Sequence, residues 1–337
     1  MIRTVLLIFV FTLLYTPLSF AKIVSGVISM DFDLSHQPQG KEVQLWIPYP
    51  ISDGDQDITG INISGNFSES AVYTDKVYRT PMLYVRWDKD IKNRKFSFSF
   101  HAARKEVHRR DYPKSEAAWN PADFSLYLAA TRLGPIDGEV KKLADEITKG
   151  KESVLARAKA IYDWTIENTY RDPDTRGCGL GDVYKLLQEP GGKCTDISSI
   201  YVALARAAGV PARETFGIRM GKKNTQNIST WQHCWAEFYL PGYGWVPVDP
   251  ADVRKKMLVE QLELNDKKTK EYRNYFWGGI DAYRIRLGEG RDLFLNPRQS
   301  GEPVNYLMYP FAQVGDSTLD WLAPETFKYT ITYKQEI

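Results

Sequence analysis

Residues 191–213, GGKCTDISSIYVALARAAGVPAR, place a cysteine where a glycine-containing loop changes into a helix. The helical part carries an apolar stripe at helical spacing, formed by Ile197, Ile200, Tyr201, Leu204 and Ala208. Gly209 and Pro211 are stop signals that end it. Cys194 therefore lies at a helix N-terminus, where the positive end of the helix dipole favours a thiolate. The free N–H groups there can also bind an oxyanion.

Residues 231–250, WQHCWAEFYLPGYGWVPVDP, predict two strands joined by the turn Pro241–Gly244. His233 opens the first strand, and Asp249 ends the second, so a hairpin brings both to the same end. A thiolate nucleophile needs a nearby base, and of the four histidines only His233 follows Cys194. We predict that Cys194 is the nucleophile and His233 its acid/base partner. Asp249 is predicted to orient the imidazole.

Simpler interpretations exist for each of these three residues. Cys194 is compatible with a small buried apolar residue, since most free cysteines are of that kind. His233 is compatible with a hydrogen-bonded core histidine, and Asp249 with a turn residue before Pro250. Asp196 is predicted to cap the helix rather than to react.

The same stretches resemble the core of the transglutaminase-like superfamily. Its four motifs, G-x-C-x-D, A-R-x-x-G-[IV]-P-[AS]-R, H-x-W-x-E and G-W-x-x-x-D-P, occur in this order within residues 163–250. Residues 179–183 and 290–293, and the segment Leu45–Pro48, also resemble exported bacterial members. The resemblance implies a papain-like fold and a Cys-His-Asp triad, which falls on Cys194, His233 and Asp249.

The resemblance also implies a side chain that helps the Cys194 N–H to bind the oxyanion. In the family this position is an aromatic residue after the second helix, which here is Tyr170. Papain-type peptidases instead place a glutamine before the nucleophile, and Gln188 matches that spacing. The sequence favours Tyr170 and leaves Gln188 as the alternative.

The first 21 residues have the pattern of a signal peptide. Arg3 is the positive residue, Val5–Tyr15 is an apolar run, and Ser19-Phe20-Ala21 suits signal peptidase. This predicts a periplasmic or secreted protein without stable membrane insertion after cleavage, and an uncleaved anchor is the alternative. The formal net charge of +2, from 44 basic and 42 acidic residues, gives no sign of nucleic-acid binding.

The chain of 337 residues is long enough for two or three domains. Residues 22–115 show period-two alternation, as in Phe96–Phe100, and predict a small β-sandwich. Residues 116–255 change to helical periodicity and then back to strands, which predicts an α+β, papain-like catalytic domain. Residues 256–337 are predicted to form a C-terminal extension of loops and short strands.

The cysteine count and the spacing of possible metal ligands indicate whether the protein has a disulfide, a metal or a cofactor. In an exported protein the odd number allows Cys178 and Cys234 to pair and leave Cys194 free. No Cys or His spacing typical of a metal site occurs. Transglutaminases of the animal type depend on calcium, but no carboxylate-dense loop is visible, so we predict neither metal nor cofactor.

These observations predict an exported cysteine enzyme, a cysteine protease or amidase or a transglutaminase-type acyltransferase. It would act on amides of a protein or peptide substrate through a thioester, by hydrolysis or acyl transfer. The alternative is a non-catalytic binding or scaffolding module that keeps the fold. The substrate and the oligomeric state do not follow from the sequence.

Overall fold

Alternating apolar side chains build the first seven strands. The structure is a computed structural model that describes residues 22–336, and the predicted signal peptide lies outside these residues. The strands are β1 (Ile23–Asp33), β2 (Val43–Pro48), β3 (Gln56–Gly65), β4 (Glu69–Thr74), β5 (Pro81–Trp87), β6 (Lys95–Lys105) and β7 (Val107–His108).

The middle of the chain contains the helices and a second group of strands. The helices are α1 (Ser125–Leu128), α2 (Gly138–Ile147), α3 (Val154–Asn168), α4 (Val183–Gln188), α5 (Cys194–Ala207), α6 (Pro250–Glu260) and α7 (Lys267–Tyr275), and a 3-10 helix, Pro121–Phe124, precedes α1. The strands are β8 (Tyr170–Arg171), β9 (Gly191–Gly192), β10 (Ala212–Arg219), β11 (Thr225–Asn227), β12 (Gln232–Leu240), β13 (Gly244–Val248), β14 (Gly279–Ile280) and β15 (Arg284–Glu289). The C-terminal strands are β16 (Phe311–Val314), β17 (Ser317–Thr318) and β18 (Tyr329–Gln335).

Two five-stranded sheets face each other and form a β-sandwich. Their strand orders are β11-β18-β1-β6-β3 and β17-β16-β2-β5-β4. The residues between them are buried and largely aromatic or branched, for example Trp87, Phe98 and Ile331. In β6 every second side chain is buried, which is the alternation expected of a strand with one face on a core.

The C-terminal residues complete this sandwich, whereas the sequence predicts an extension of loops and short strands packed on one or both of the other domains. β18 pairs with β1 from Gly26 to Phe32, and β16 pairs with β2. The extension also contains α7, where only loops and short strands were predicted. The predicted boundary at residue 255 therefore does not separate structural units. Apolar alternation identifies a strand, but it carries no information about which distant strand is its partner.

The second unit is a four-stranded antiparallel sheet, β13-β12-β10-β15, with α5 packed on one face. Every residue of α5 is buried, and Ile200 and Leu204 share a core with Phe238 of β12. The helix begins at Cys194, as the sequence predicts, and the predicted α+β fold class with a β-rich N-terminal part is confirmed. No helix within residues 22–336 has the length and apolar character needed to cross a membrane.

Candidate active site

The loop before the Cys194 helix is held in place by hydrogen bonds. The carboxylate of Asp196 accepts hydrogen bonds from the N–H groups of Lys193, at 3.0 Å, and Gly181, at 2.8 Å. A Cβ on Gly192 would lie 2.4 Å from the Asp196 Cβ, so only glycine fits. Asp196 thus caps the helix, as predicted. No hydrogen bond within residues 22–336 uses the N–H of Cys194, which leaves it available for an oxyanion.

His233 and Asp249 meet at the end of the β12–β13 hairpin. The His233 Nε2 lies 2.7 Å from the Asp249 Oδ2, and both residues are buried. The Asp249 Oδ1 accepts from the N–H of Asp252 at 2.8 Å and so caps α6. Asp249 therefore begins a helix as well as contacting His233. Because Nε2 faces the carboxylate, Nδ1 is the ring nitrogen left for Cys194.

The surroundings of Cys194 favour its thiolate. The pKa of the Cys194 thiol is held well below its usual value by hydrogen bonds from the thiols of Cys178 and Cys234. A hydrogen bond from His233 and its charge act in the same direction, whereas burial opposes them. The pKa of Cys178 is raised well above its usual value by the interaction with Cys194 and by burial. Burial and Cys194 likewise raise the pKa of Cys234, so both flanking thiols keep their protons.

All three cysteines are free and buried, so the Cys178–Cys234 disulfide allowed by the odd count is not formed in this structure. The carbonyl of Cys178 accepts from the N–H of Thr195 at 3.0 Å, and the Cys234 sulfur lies 3.5 Å from the Thr195 hydroxyl. Tyr309 donates to the Cys178 sulfur at 3.1 Å. The thiols of Cys178 and Cys234 therefore lie beside the first turn of α5 and are not bonded to each other.

Arg284 is a site residue that the sequence analysis missed. It is fully buried in β15; its Nη1 contacts the Asp249 carboxylate and its Nη2 lies 2.8 Å from the Asp252 Oδ2. Arg219 also binds both Asp252 oxygens, at 2.6 and 2.7 Å. Burial acts to raise the pKa of Asp252, but these two arginines hold it well below its usual value. Arg284 lies 51 positions beyond His233, and no local motif marks it.

One cluster within residues 22–336 has the ligand types and spacing of a metal site, namely His233, Asp249 and Asp252. The guanidinium of Arg284 lies among these side chains, 3.2 Å from the His233 Nε2 and in contact with both carboxylates. Arg284 therefore supplies the positive charge that a cation would bring to this cluster.

The two oxyanion candidates differ in their surroundings. Tyr170 belongs to β8, which pairs in parallel with Gly191 and Gly192. Its half-exposed ring covers Gly191 so closely that a Cβ there would lie 2.3 Å from the ring Cζ. Gln188 is the exposed last residue of α4, and its side chain makes no hydrogen bond with the described residues. Of the two, Tyr170 contacts the loop that leads into Cys194.

The flanking motifs at residues 179–183 and 290–293 meet at a buried arginine. Arg291 donates to the carbonyl of Leu180 at 3.0 Å and to Glu214 at 3.1 Å. A Cβ on Gly181 would lie 2.6 Å from the Arg291 Nη2, so this loop packs directly on the guanidinium. The arginine thus fixes the segment that carries Cys178.

Known proteins share the sequence pattern and the fold of this chain. The sequence model of the transglutaminase-like superfamily matches residues 141–250. An uncharacterized protein of Haemophilus influenzae is 36% identical over 325 residues, which cover 88% of each chain. A protein-glutamine gamma-glutamyltransferase of Pseudomonas aeruginosa is 28% identical over 142 residues, 39% of this chain and 21% of that protein.

Among solved structures, a protein of Cytophaga hutchinsonii proposed to be a cysteine protease is similar over 93% of this chain and 99% of its own, with a TM-score of 0.55 and 17% identity. At this identity the likeness defines the fold alone. The chain belongs to the transglutaminase-like superfamily, as its motifs predict.

Proposed function

We propose that this protein is an exported cysteine enzyme that cleaves or transfers an amide acyl group through a thioester on Cys194. The observation that carries the proposal is the 2.7 Å contact between the His233 Nε2 and Asp249, beside a thiol whose surroundings favour the thiolate at the start of α5. A non-catalytic module would have no need of a base held by a carboxylate next to a thiolate.

The proposed reaction begins when the Cys194 thiolate attacks the carbonyl carbon of an amide. The negative charge on the carbonyl oxygen is stabilised by the Cys194 N–H at the helix N-terminus, and we assign the second donor to the Tyr170 hydroxyl. The C–N bond then breaks as His233 gives its proton to the leaving amine. This leaves an acyl group on the sulfur and a neutral imidazole.

The thioester is resolved by a second nucleophile. His233 takes a proton from water, the hydroxide attacks the acyl carbon, and the carboxylic acid leaves as the thiolate re-forms. A primary amine in place of water gives a new amide, as the name of the Pseudomonas relative implies for that protein. Both outcomes use the same three residues, so the acyl acceptor alone separates a hydrolase from a transferase.

Three further side chains support these steps. The pKa of each of the thiols of Cys178 and Cys234 is raised by burial and by Cys194, so both stay protonated and add no negative charge beside the Cys194 thiolate. Arg284 contacts Asp249 and keeps its carboxylate directed at His233. Cys194 is only 2% exposed, so little of this residue is open to a bulky substrate. This favours a slender segment of a protein or peptide as substrate.

The export part of the proposal depends on residues 1–21, whose n-region, apolar run and small residues predict a cleavable signal. It places the enzyme in the periplasm or outside the cell. N-terminal sequencing of the protein from a cell envelope fraction measures this directly. A mature protein that begins near Lys22 is expected, and an intact N-terminus in the cytoplasm would contradict it.

Activity is tested on mixed envelope proteins with and without a fluorescent primary amine. We expect the wild-type protein to release carboxylic acids or ammonia from amides, or to attach the amine, and the Cys194→Ala protein to do neither. Cys194→Ser is the matched control, since it keeps the size of the side chain and should fold with the same Tm yet remain inactive. Equal product from wild type and Cys194→Ala would favour the non-catalytic module.

A further inference from the structure

A cavity lies where the β-sandwich meets the face of the four-stranded sheet that is opposite α5. Its volume is about 410 Å³, within the usual size of small-ligand sites. The side chains of Arg104 and Asp53 come from the sandwich side, and those of Arg213, Glu237 and Arg286 come from the sheet. The indole of Trp235 also lines it, and its ring lies 6.4 Å from that of His233. We call it the arginine cavity.

Arg104 is the unusual member of this lining. It is only 4% exposed, and its Nε is buried without a hydrogen-bond partner. Its nearest acidic oxygen is the Asp53 Oδ1, 3.9 Å away, beyond hydrogen-bond reach. That oxygen already accepts from the N–H groups of Asp55 and Gln56, at 2.8 and 3.0 Å. A buried guanidinium without a hydrogen-bonded partner is costly, so Arg104 can bind an acceptor group that enters the cavity.

The other arginines of the cavity have partners. Arg213 binds Glu237 at 2.6 Å and Glu289 at 2.7 Å, and its guanidinium lies 4.0 Å from the centre of the Trp245 ring. Arg109 binds Asp55 at 2.6 Å, and Arg286 contacts Glu289. One guanidinium is therefore unsatisfied in a lining that is otherwise internally paired.

We propose that the arginine cavity binds a singly charged carboxylate, held by the planar N–H groups of Arg104. A carboxylate matches the guanidinium fork in shape, and a charged acceptor strengthens hydrogen bonds from a guanidinium. Asp53, Asp55 and Glu237 line the same space and would repel a doubly charged phosphate more strongly than a singly charged carboxylate. A small free acid and the C-terminus of a peptide both carry such a carboxylate.

The proposal does not depend on the cysteine reaction, because Trp235 separates the cavity from His233.

Calorimetric titration of the purified protein with three probes distinguishes a small free acid from a peptide C-terminus as the source of the carboxylate. The probes are sodium acetate, acetylated trialanine with a free carboxylate, and the same peptide with an amidated end, all at constant ionic strength. We expect the free-acid peptide to bind at least tenfold more tightly than the amide. Binding of acetate with similar affinity identifies a small acid as the ligand, and binding of the peptide acid alone identifies a chain end.

The matched variants are Arg104→Met and Lys105→Met, which remove one positive charge from neighbouring residues of β6. Lys105 is exposed and points away from the cavity, so its variant should keep the preference for the free acid, whereas Arg104→Met should lose it. If Arg104→Met does not fold, Arg104→Lys keeps the charge without the fork and should weaken binding several-fold. No preference for the acid in the wild type, or the same preference in the Arg104 variant, overturns the proposal.

Discussion

At the scale of single residues, Asp249 holds several groups at once. One carboxylate oxygen contacts His233 and the Arg284 guanidinium, while the other caps α6. A carboxylate fixed on both oxygens leaves the imidazole little freedom to rotate. The position of the His233 ring is thus determined by β15 and α6 as well as by the hairpin.

This arrangement predicts a graded loss of activity among three variants. His233→Ala removes the acid and base and should lower kcat by roughly 10²- to 10⁴-fold. Asp249→Asn should cost less, because the orienting group acts through the base, and Arg284→Met should cost less still. Steady-state kinetics on the amide substrate give the loss of kcat for each variant. The Tm of each variant shows whether it is folded. A larger loss for Arg284→Met than for His233→Ala at equal Tm would contradict it.

The sequence was sufficient to predict Cys194, His233 and Asp249 as the site because each lies in a short motif at the end of an element. The structure brings His233 and Asp249 together and puts Cys194 at the start of α5, but the catalytic roles stay predictions. Arg284 and Tyr309 could not be found in this way. They reach the site through β15 and the C-terminal segment, and neither is marked by its neighbours in the chain.

At the scale of elements, the register of β10 and β12 creates a buried ion pair. Arg213 lies directly opposite Glu237, and the two side chains are 2.6 Å apart. Burial acts to raise the pKa of Glu237, but the charges of Arg213 and Arg286 lower it from 4.5 to about 2. The pair links neighbouring strands of the sheet that carries His233.

The depressed pKa predicts how stability depends on pH. A carboxyl whose pKa falls on folding stabilises the folded state above its unfolded pKa of 4.5, and this contribution is lost as the pH falls towards about 2. The shift corresponds to about 3 kcal/mol. Glu237→Gln should therefore lower the free energy of unfolding near neutral pH and have progressively less effect in acid. Urea unfolding at several pH values tests this, and a difference independent of pH would contradict it.

At the scale of the whole molecule, the two ends of the described chain lie side by side. β18 joins β1, and Phe327, Ile331 and Tyr333 are buried in the sandwich core. The sequence predicted the sandwich strands but assigned this segment to an extension, because pairing between residues 300 positions apart leaves no local pattern. The folding of the N-terminal unit therefore depends on the C-terminus.

Removal of residues 327–337 should prevent stable folding. Burial of a large apolar side chain contributes roughly 1.5–3 kcal/mol, so three of them amount to about 5 kcal/mol or more, comparable with the whole stability of many domains. Thermal melting by circular dichroism should show no cooperative transition for this truncation and an unchanged one after removal of residues 336–337 alone. A truncated protein that melts within a few degrees of the wild type would contradict the dependence.

The central claim is that Cys194 forms a thiolate supported by His233, and the rate of iodoacetamide alkylation against pH measures it most directly. Mass spectrometry follows modification of Cys194 in the wild-type and His233→Ala proteins, with Cys178 and Cys234 as internal controls. We predict that Cys194 reacts with a midpoint well below the ordinary thiol value of about 8.5. The midpoint should rise in His233→Ala, and the two flanking thiols should stay unmodified. A Cys194 midpoint at the ordinary value, or one unchanged by loss of His233, would contradict the account.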